Sequence, residues 1–167
     1  MEPSENIQVD FDLAAELAPF VIGGSAYACF QCGACVAECP TAAHVEGFSP
    51  RKVVLQILLG DRESFESEDA LVWKCSSCFT CLERCPQGVR PGELIAAVRN
   101  WLVKKALVPK QLADIYNAVR KEGRTVPRSS AIDRRRKELG LPVVPDAPVD
   151  ELKSLLPQLD RGKKEKK

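Results

Sequence analysis

Eight cysteines are the residues of this chain whose type and spacing could do chemistry. They form two runs, Cys29-x2-Cys32-x2-Cys35-x3-Cys39-Pro40 and Cys75-x2-Cys78-x2-Cys81-x3-Cys85-Pro86. Both runs have the spacing C-x2-C-x2-C-x3-C-P, and together they contain every cysteine of the 167 residues. A thiolate run of this spacing is typical of [4Fe–4S] clusters, so two such clusters are predicted as cofactors.

The spacing also predicts how the cysteines divide between the two clusters. Three thiolates placed two residues apart on a tightly turning backbone can hold three corners of one cube. The fourth, followed by proline, starts the next helix and points to the other cube, as in bacterial two-cluster ferredoxins. Cluster 1 is therefore predicted on Cys29, Cys32, Cys35 and Cys85, and cluster 2 on Cys75, Cys78, Cys81 and Cys39.

Zinc and disulfides are the alternative uses of such cysteines. A zinc site needs a tetrahedron of four ligands, and the middle cysteine of each C-x2-C-x2-C would fit it poorly. A disulfide framework suits a small secreted domain, but MEPSENIQVD has neither the basic region nor the hydrophobic core of a signal peptide. Because no apolar run could span a bilayer either, we expect a cytoplasmic protein without membrane contact.

The segment between the runs decides the fold class. Ser49 is a good N-cap, Pro50 suits the first helical position, and Gly60 suits a helix end. A second helix is predicted from about Ser67, running towards Trp73. The runs repeat with an offset of 46 residues, which implies a pseudo-twofold. We therefore expect an all-α protein, an α-helical ferredoxin with two [4Fe–4S] clusters related by that pseudo-twofold, plus C-terminal helices.

Three parts are predicted along the chain: an N-terminal segment at 1–22, a helical dicluster ferredoxin domain at 23–107, and a C-terminal helical extension with a basic tail at 108–167. In the first, residues 1–10 should be extended or disordered, and Asp12 should cap an apolar stretch that ends at Ile22.

Further helices are predicted beyond the second run. The clearest spans Glu93–Leu107, with Leu94, Val98, Trp101 and Leu102 on one face. The others are expected at Pro109–Gly123, Ala131–Leu139 and Val149–Leu159. In the first of these, Leu112, Ile115, Tyr116 and Val119 should point inward.

Charge is unevenly distributed. Residues 1–50 carry seven acids and no Lys or Arg, whereas residues 101–167 carry seventeen basic and nine acidic residues. Nucleic acid is not expected as a partner, because the basic residues alternate with acids and lack stacking aromatics. His44 is expected at the surface, while Arg84 and Arg90 could either stabilise reduced clusters or simply be solvated. No nucleophile–base pair, phosphate loop or dinucleotide fingerprint is present, so no catalytic residue is predicted.

Four sequence blocks resemble a known family. CFQCGACVAECP, SPRKVVLQILLG, WKCSSCFTCLERCP and IAAVRNWLVKKAL are similar to the C subunit of CoB–CoM heterodisulfide reductase. The likeness continues at Gly123…Pro127 and at RKELGL, and it covers roughly residues 20–142.

The resemblance implies an electron-transfer subunit of a soluble reductase complex. In that family, the C subunit passes electrons from an A subunit with FAD and iron–sulfur clusters to a B subunit with two non-cubane clusters, which reduces the CoM-S-S-CoB heterodisulfide of methanogenesis. The A subunit of cytoplasmic versions also bifurcates electrons, and a hydrogenase or formate dehydrogenase is an indirect partner. Alternatives are a subunit of a related complex of sulfur or organic-acid metabolism, a free dicluster ferredoxin, or a zinc-binding adaptor.

Overall fold

The computed structural model describes residues 9–157 and 159, and within them it contains helices and turns but no strand. The all-α prediction is confirmed. The chain divides into two compact units, Met1–Leu107 and Val108–Lys167. The division into three parts at residues 22 and 107 stays a prediction.

Residues 9–107 of the first unit form seven α-helices: α1 Asp12–Leu17, α2 Ala34–Ala37, α3 Pro40–His44, α4 Pro50–Leu59, α5 Arg62–Glu66, α6 Thr80–Glu83 and α7 Pro91–Lys104. Single 3-10 turns lie at Ala18–Phe20, Ala26–Ala28 and Leu71–Lys74. Each cysteine run thus follows a 3-10 turn, contains a one-turn helix and leads towards a longer helix that begins at proline.

Helices α4 and α7 pack together at the centre of this unit and form its core. Val54 and Ile57 of α4 and Val98 and Leu102 of α7 are buried, as the helical spacing predicted. The predicted ends of α4 are also confirmed. Ser49 accepts a hydrogen bond from Lys52 N, and Gly60 ends the helix with φ of 69°.

The N-terminal segment packs against the end of α4. Asp10 N donates to Leu59 O at 3.1 Å, and a Cβ on Gly60 would lie 2.0 Å from Asp10 O. Leu13 and Leu17 of α1 are completely buried or nearly so. The predicted N-cap at Asp12 is wrong: Asp12 is the first helical residue, and its N–H donates to the Asp10 carboxylate. The predicted disorder of residues 1–8 lies outside the described residues.

The predicted helix from Ser67 is also wrong. The helix of this segment is α5, which lies earlier and ends at Ser67. Its N-cap is Asp61, whose carboxylate accepts from Ser64 N at 3.1 Å and from Ser64 Oγ at 2.6 Å. These hydrogen bonds lower the pKa of Asp61, although its partial burial opposes them. The segment that leads into the second run is the 3-10 turn at Leu71–Lys74, with Val72 buried.

The second unit contains α8 Lys110–Glu122, α9 Ser130–Glu138 and α10 Val149–Leu155. Helix α8 packs against α10, with Ala113 buried between its exposed neighbours. The prediction that Leu112 and Ile115 point inward is wrong, because they are 41% and 45% exposed. The inward face carries Tyr116, as predicted, together with Ala113 and Arg120. Tyr116 and Arg120 donate to the carbonyls of Pro157 and Leu156.

Candidate metal centres

The backbone of both cysteine runs turns in the same way. In the first run, Gln31 and Gly33 have positive φ of 55° and 86°; in the second, Ser77 and Phe79 have 56° and 60°. These are the same positions of the two runs, 46 residues apart. Left-handed residues between ordinary ones turn successive N–H groups to one side, which builds a concavity suited to an anion. Both loops therefore present backbone N–H donors that suit a negatively charged group.

Several of these donors already lie against sulfur. Gln31 N donates to Cys29 Sγ at 3.4 Å, and Ser77 N donates to Cys75 Sγ at the same distance. The side-chain amide of Gln31 adds a second hydrogen bond to Cys29 Sγ at 3.2 Å. Such bonds stabilise negative charge on a thiolate, and hydrogen bonds to sulfur tune cluster potentials. The local sequence thus prepares both first cysteines to act as thiolate ligands.

The fourth cysteine of each run is oriented by the segment after it. Cys39 is the N-cap of α3, and its Sγ accepts from Ala42 N at 3.4 Å. Pro40 occupies the first turn of that helix, where its missing N–H is not needed. Cys85 has no helix directly after it, and its Sγ accepts instead from Val89 N at 3.4 Å. The two halves therefore differ at this point, although their cysteine spacing is identical.

Cysteines of both runs meet at one concave site. Its lining includes Cys29, Cys32, Cys35 and Cys85, together with Arg51, Val54 and Pro91 from α4 and α7. The fourth thiol of this site therefore comes from the other run, as the predicted cluster 1 requires.

The remaining four thiols form the second group. The pKa of Cys81 is raised to about 11, first by burial and then by the fields of Cys75, Cys35, Cys39 and Cys78. Cys39 of the first run is therefore close enough to Cys81 to raise its pKa. A hydrogen bond supports this placement: Ser76 N donates to the Thr41 hydroxyl at 3.4 Å, which holds the start of α3 against the second run.

The two groups share an inner edge. The pKa of Cys35 is also raised to about 11, mainly by burial, and Cys29, Cys85 and Cys32 raise it further. The charge of Cys35 in turn raises the pKa of Cys81. Helices α2 and α6, which carry these two thiols, are in contact, so Cys35 and Cys81 lie where the groups approach each other. Cys32 and Cys78 are exposed. Hydrogen bonds from Thr80 lower the pKa of Cys78. Cys81 is buried and Cys35 is half-buried, so each group has one more enclosed thiol and one exposed thiol.

The donor set fits iron–sulfur cubes. Every candidate ligand is a thiol, the softest donor that proteins supply, and four are brought together twice. Within residues 9–157 and 159, no three His, Cys, Asp or Glu side chains converge closely enough to share a single metal ion. A cube needs a wider spacing than a mononuclear site, because its four thiolates bind four different irons.

Charged residues around the sites include two ion pairs, an exposed histidine as expected, and one arginine that the sequence did not single out. Arg84 forms an ion pair with Glu38 at 2.7 Å, and Arg90 pairs with Glu93. His44 is exposed at the end of α3. Sequence reasoning missed Arg99, whose guanidinium donates to the second run and whose pKa is lowered by burial. A signal existed: Arg99 is the one basic residue in the middle of helix α7, directly after the apolar run Leu94–Val98.

Fold and site together define the class of protein, an α-helical protein with a dicluster iron–sulfur domain. The family profile described as 4Fe-4S dicluster domain matches residues 25–89. Two [4Fe–4S] clusters are therefore the cofactors of this chain. Among the described residues, no helix is both long and apolar enough to cross a membrane.

Curated relatives give the particular family. The chain is 31% identical over 134 residues to the C subunit of the ferredoxin:CoB-CoM heterodisulfide reductase of Methanosarcina mazei, covering 77% of this chain and 81% of that protein. It is 37% identical over 115 residues to the C2 subunit of the H2/formate:CoB-CoM heterodisulfide,ferredoxin reductase of Methanococcus maripaludis, covering 68% of this chain and 60% of that protein. The chain belongs to the C-subunit family of CoB–CoM heterodisulfide reductases.

The likeness to some relatives covers only part of their length. The chain spans 60% of the relative from Methanococcus maripaludis. It also spans 60% of the second iron-sulfur C subunit of the CoB–CoM heterodisulfide reductase of Methanocaldococcus jannaschii, to which it is 36% identical over 115 residues, or 69% of this chain. Family and cluster type follow from these comparisons.

Proposed function

We propose that this chain is the electron-transfer subunit of a heterodisulfide reductase complex. It relays electrons from a flavin-containing A subunit to a B subunit that reduces the CoM-S-S-CoB heterodisulfide. Membership of the C-subunit family supports this proposal. A related complex of sulfur or organic-acid metabolism and a free ferredoxin are less favoured, because the similar proteins are named as heterodisulfide reductase subunits from methanogens.

The crossed ligand assignment is part of the proposal. Cluster 1 is assigned to Cys29, Cys32, Cys35 and Cys85, and cluster 2 to Cys75, Cys78, Cys81 and Cys39. The shared lining of the first group and the fields acting on Cys81 support it. So does the hydrogen bond between Thr41 and Ser76, since it draws Cys39 towards the second run.

One observation carries the relay: the arrangement of buried and exposed thiols. Cys35 and Cys81 lie at the inner edge, whereas Cys32 and Cys78 are exposed on opposite groups. When bound, each cluster accepts and releases one electron at a potential set by its surroundings. Because Cys81 is buried and Cys35 half-buried while each group also has an exposed thiol, the arrangement suits a relay that takes electrons from one partner and passes them to another.

The chain's own residues hold and shield these sites. Backbone N–H groups of Gln31 and Ser77 stabilise thiolate charge, while Val54 and Pro91 place apolar surface around the first group. Apolar surroundings and restricted solvent access control the potential of a metal site. Because no catalytic residue is proposed in this chain, reduction of the disulfide is assigned to the B subunit.

Two kinds of partner are included in the proposal. The direct partners are the A subunit with FAD and iron–sulfur clusters and the B subunit with non-cubane clusters. A hydrogenase or formate dehydrogenase is an indirect partner. The name of one similar protein, which includes H2 and formate, supports this indirect partner.

Anaerobic co-purification tests the proposal. The tagged chain should retain about eight irons and eight sulfides, as two cubes require, and it should carry A and B subunits with it. In the assembled complex, reduced A subunit should reduce this chain before the B subunit is reduced. Stoichiometric zinc without sulfide would overturn the cluster assignment. A chain that holds both clusters but elutes alone would overturn the role as a subunit.

A further inference from the structure

Arg99 lies against the segment that leads into the second cysteine run. Its side chain is half-buried on α7, and its guanidinium donates to Val72 O at 3.0 Å, to Ser77 Oγ at 2.9 Å and to Cys75 O at 2.6 Å. The guanidinium carbon also lies 5.8 Å from the ring centroid of Trp73. Four interactions therefore hold this cation in place beside the predicted ligands of cluster 2.

The charge of Arg99 is not cancelled by these partners. Its three acceptors are two carbonyls and a hydroxyl, all neutral. An arginine in a protein also keeps its proton at any ordinary pH. By contrast, Arg84 and Arg90 each pair with a carboxylate. Arg99 therefore places a net positive charge next to the second run.

The equivalent position in the first half is apolar. Helices α4 and α7 both begin at proline, Pro50 and Pro91, and both lead away from a cysteine run. The ninth residue of α7 is Arg99, whereas the ninth residue of α4 is Leu58, which packs against the core. At this helix position, the repeat therefore carries a half-buried cation in the second half and an apolar residue in the first.

The positive charge beside the first run is more exposed than the charge of Arg99. Arg51 lines its site, but it is exposed and makes one long hydrogen bond to Gln31 O, at 3.4 Å. Solvent and salt screen an exposed charge more than a partly buried one. The side-chain amide of Gln31 also donates to Cys29 Sγ. That bond comes from a neutral donor, so it adds no net positive charge to the first site.

We propose that Arg99 raises the reduction potential of cluster 2 above that of cluster 1. The inference rests on the proposed function, because it needs both clusters bound. A reduced cluster carries one more negative charge than the oxidised cluster, and a nearby cation favours the more negative form. A chain that has accepted one electron therefore holds it on the side of Cys75, and cluster 2 faces the acceptor. Arg99 gives the relay its direction.

Redox titrations of the anaerobically purified full chain, followed by EPR, test this inference. Wild type should show two midpoint potentials, and Cys78→Ser should move the higher one, which assigns it to cluster 2. Arg99→Met should lower the higher midpoint potential and so narrow the gap between the two midpoint potentials. Arg99→Lys keeps the charge but not the guanidinium fork, so it should retain most of the gap. Arg51→Met is the matched control and should change the gap less than Arg99→Met.

Three results would overturn the inference, provided that eight irons are still bound. The first is equal midpoint potentials in wild type, and the second is an unchanged higher midpoint in Arg99→Met. The third is a shift of the higher midpoint in Arg99→Lys as large as that in Arg99→Met. The last would show that packing, not charge, matters. If Arg99→Met binds fewer irons, Arg99→Gln, which also removes the charge, replaces it with the same expected and overturning results. With either variant, the inference falls if Cys78→Ser moves the lower midpoint instead of the higher one. Failure of the proposed function would be seen separately, as a wild-type chain that lacks iron or does not capture A and B subunits.

Discussion

Gly24 offers a sharp test of how the first cluster site is built. A Cβ on this residue would lie 2.4 Å from Val89 O and 3.0 Å from Arg90 Cβ. Val89 matters because its N–H donates to Cys85 Sγ. Gly24 therefore allows the segment before the first run to touch the segment after the second run. We expect Gly24→Ala to push these segments apart and to damage cluster 1 selectively.

The size of the effect depends on the contact distance. Real Cβ atoms essentially never lie closer than 3.0 Å to such an atom, so the 2.4 Å contact must open by at least 0.6 Å. Metal–ligand distances tolerate a deviation of only about 0.2 Å. Overpacking of this kind lowers the free energy of unfolding by roughly 1–3 kcal/mol. Replacing glycine also makes the unfolded chain less flexible, which offsets about 0.4–1 kcal/mol of that loss. A net destabilisation of roughly 1–2 kcal/mol is expected.

The neighbouring glycine is a matched control. A Cβ on Gly23 would meet nothing closer than Arg90 Nε, at 3.7 Å, so Gly23→Ala should be neutral or slightly stabilising. Iron and sulfide content, EPR signals and the rate of bleaching in air are compared for both variants and wild type. Gly24→Ala should bleach faster and lose the signal of one cluster first. Equal behaviour of Gly23→Ala and Gly24→Ala would refute the reasoning.

Three further predictions concern ligation, stability and the second unit. Cys39→Ala should alter the EPR signal of the cluster bound by the second run; loss of the cluster of the first run instead would mean that the assignment is not crossed. Leu102→Ala, at a residue 0% exposed, should lower the free energy of unfolding by about 2–5 kcal/mol in urea, whereas Val103→Ala, at 39% exposed, should change it little. Deleting residues 108–167 removes no cysteine, so iron content should persist while capture of A and B subunits weakens. Unchanged capture and turnover would show that this unit does not contact the partners.

Much of the fold could be predicted because local signals agreed with the packing. Helix α4 forms as predicted. Several local signals indicate it together: the cap at Ser49, the proline at position 50, the apolar spacing and Gly60. The cysteine spacing likewise predicts a dicluster domain, which the family comparison confirms. These features depend on residues close together in sequence.

Other features depend on contacts between distant residues. The cap of α5 at Asp61 escapes sequence reasoning because a short helix leaves little periodic signal, and Ser67 resembles a helix start although it is an end. The inward face of α8 is set by carbonyls of the C-terminal segment that bind Tyr116 and Arg120, so Leu112 could not be placed from hydrophobicity. The role of Arg99 depends on carbonyls 24 and 27 residues away.

The meeting of Cys85 with Cys29, Cys32 and Cys35 has a consequence for biosynthesis. A ribosome delivers the chain from the N-terminus, so the first three thiols emerge long before the fourth thiol of their site. A nascent chain that ends before Cys85 holds an incomplete first site. Under the proposed crossed assignment, insertion of the first cube therefore waits until both runs have left the ribosome.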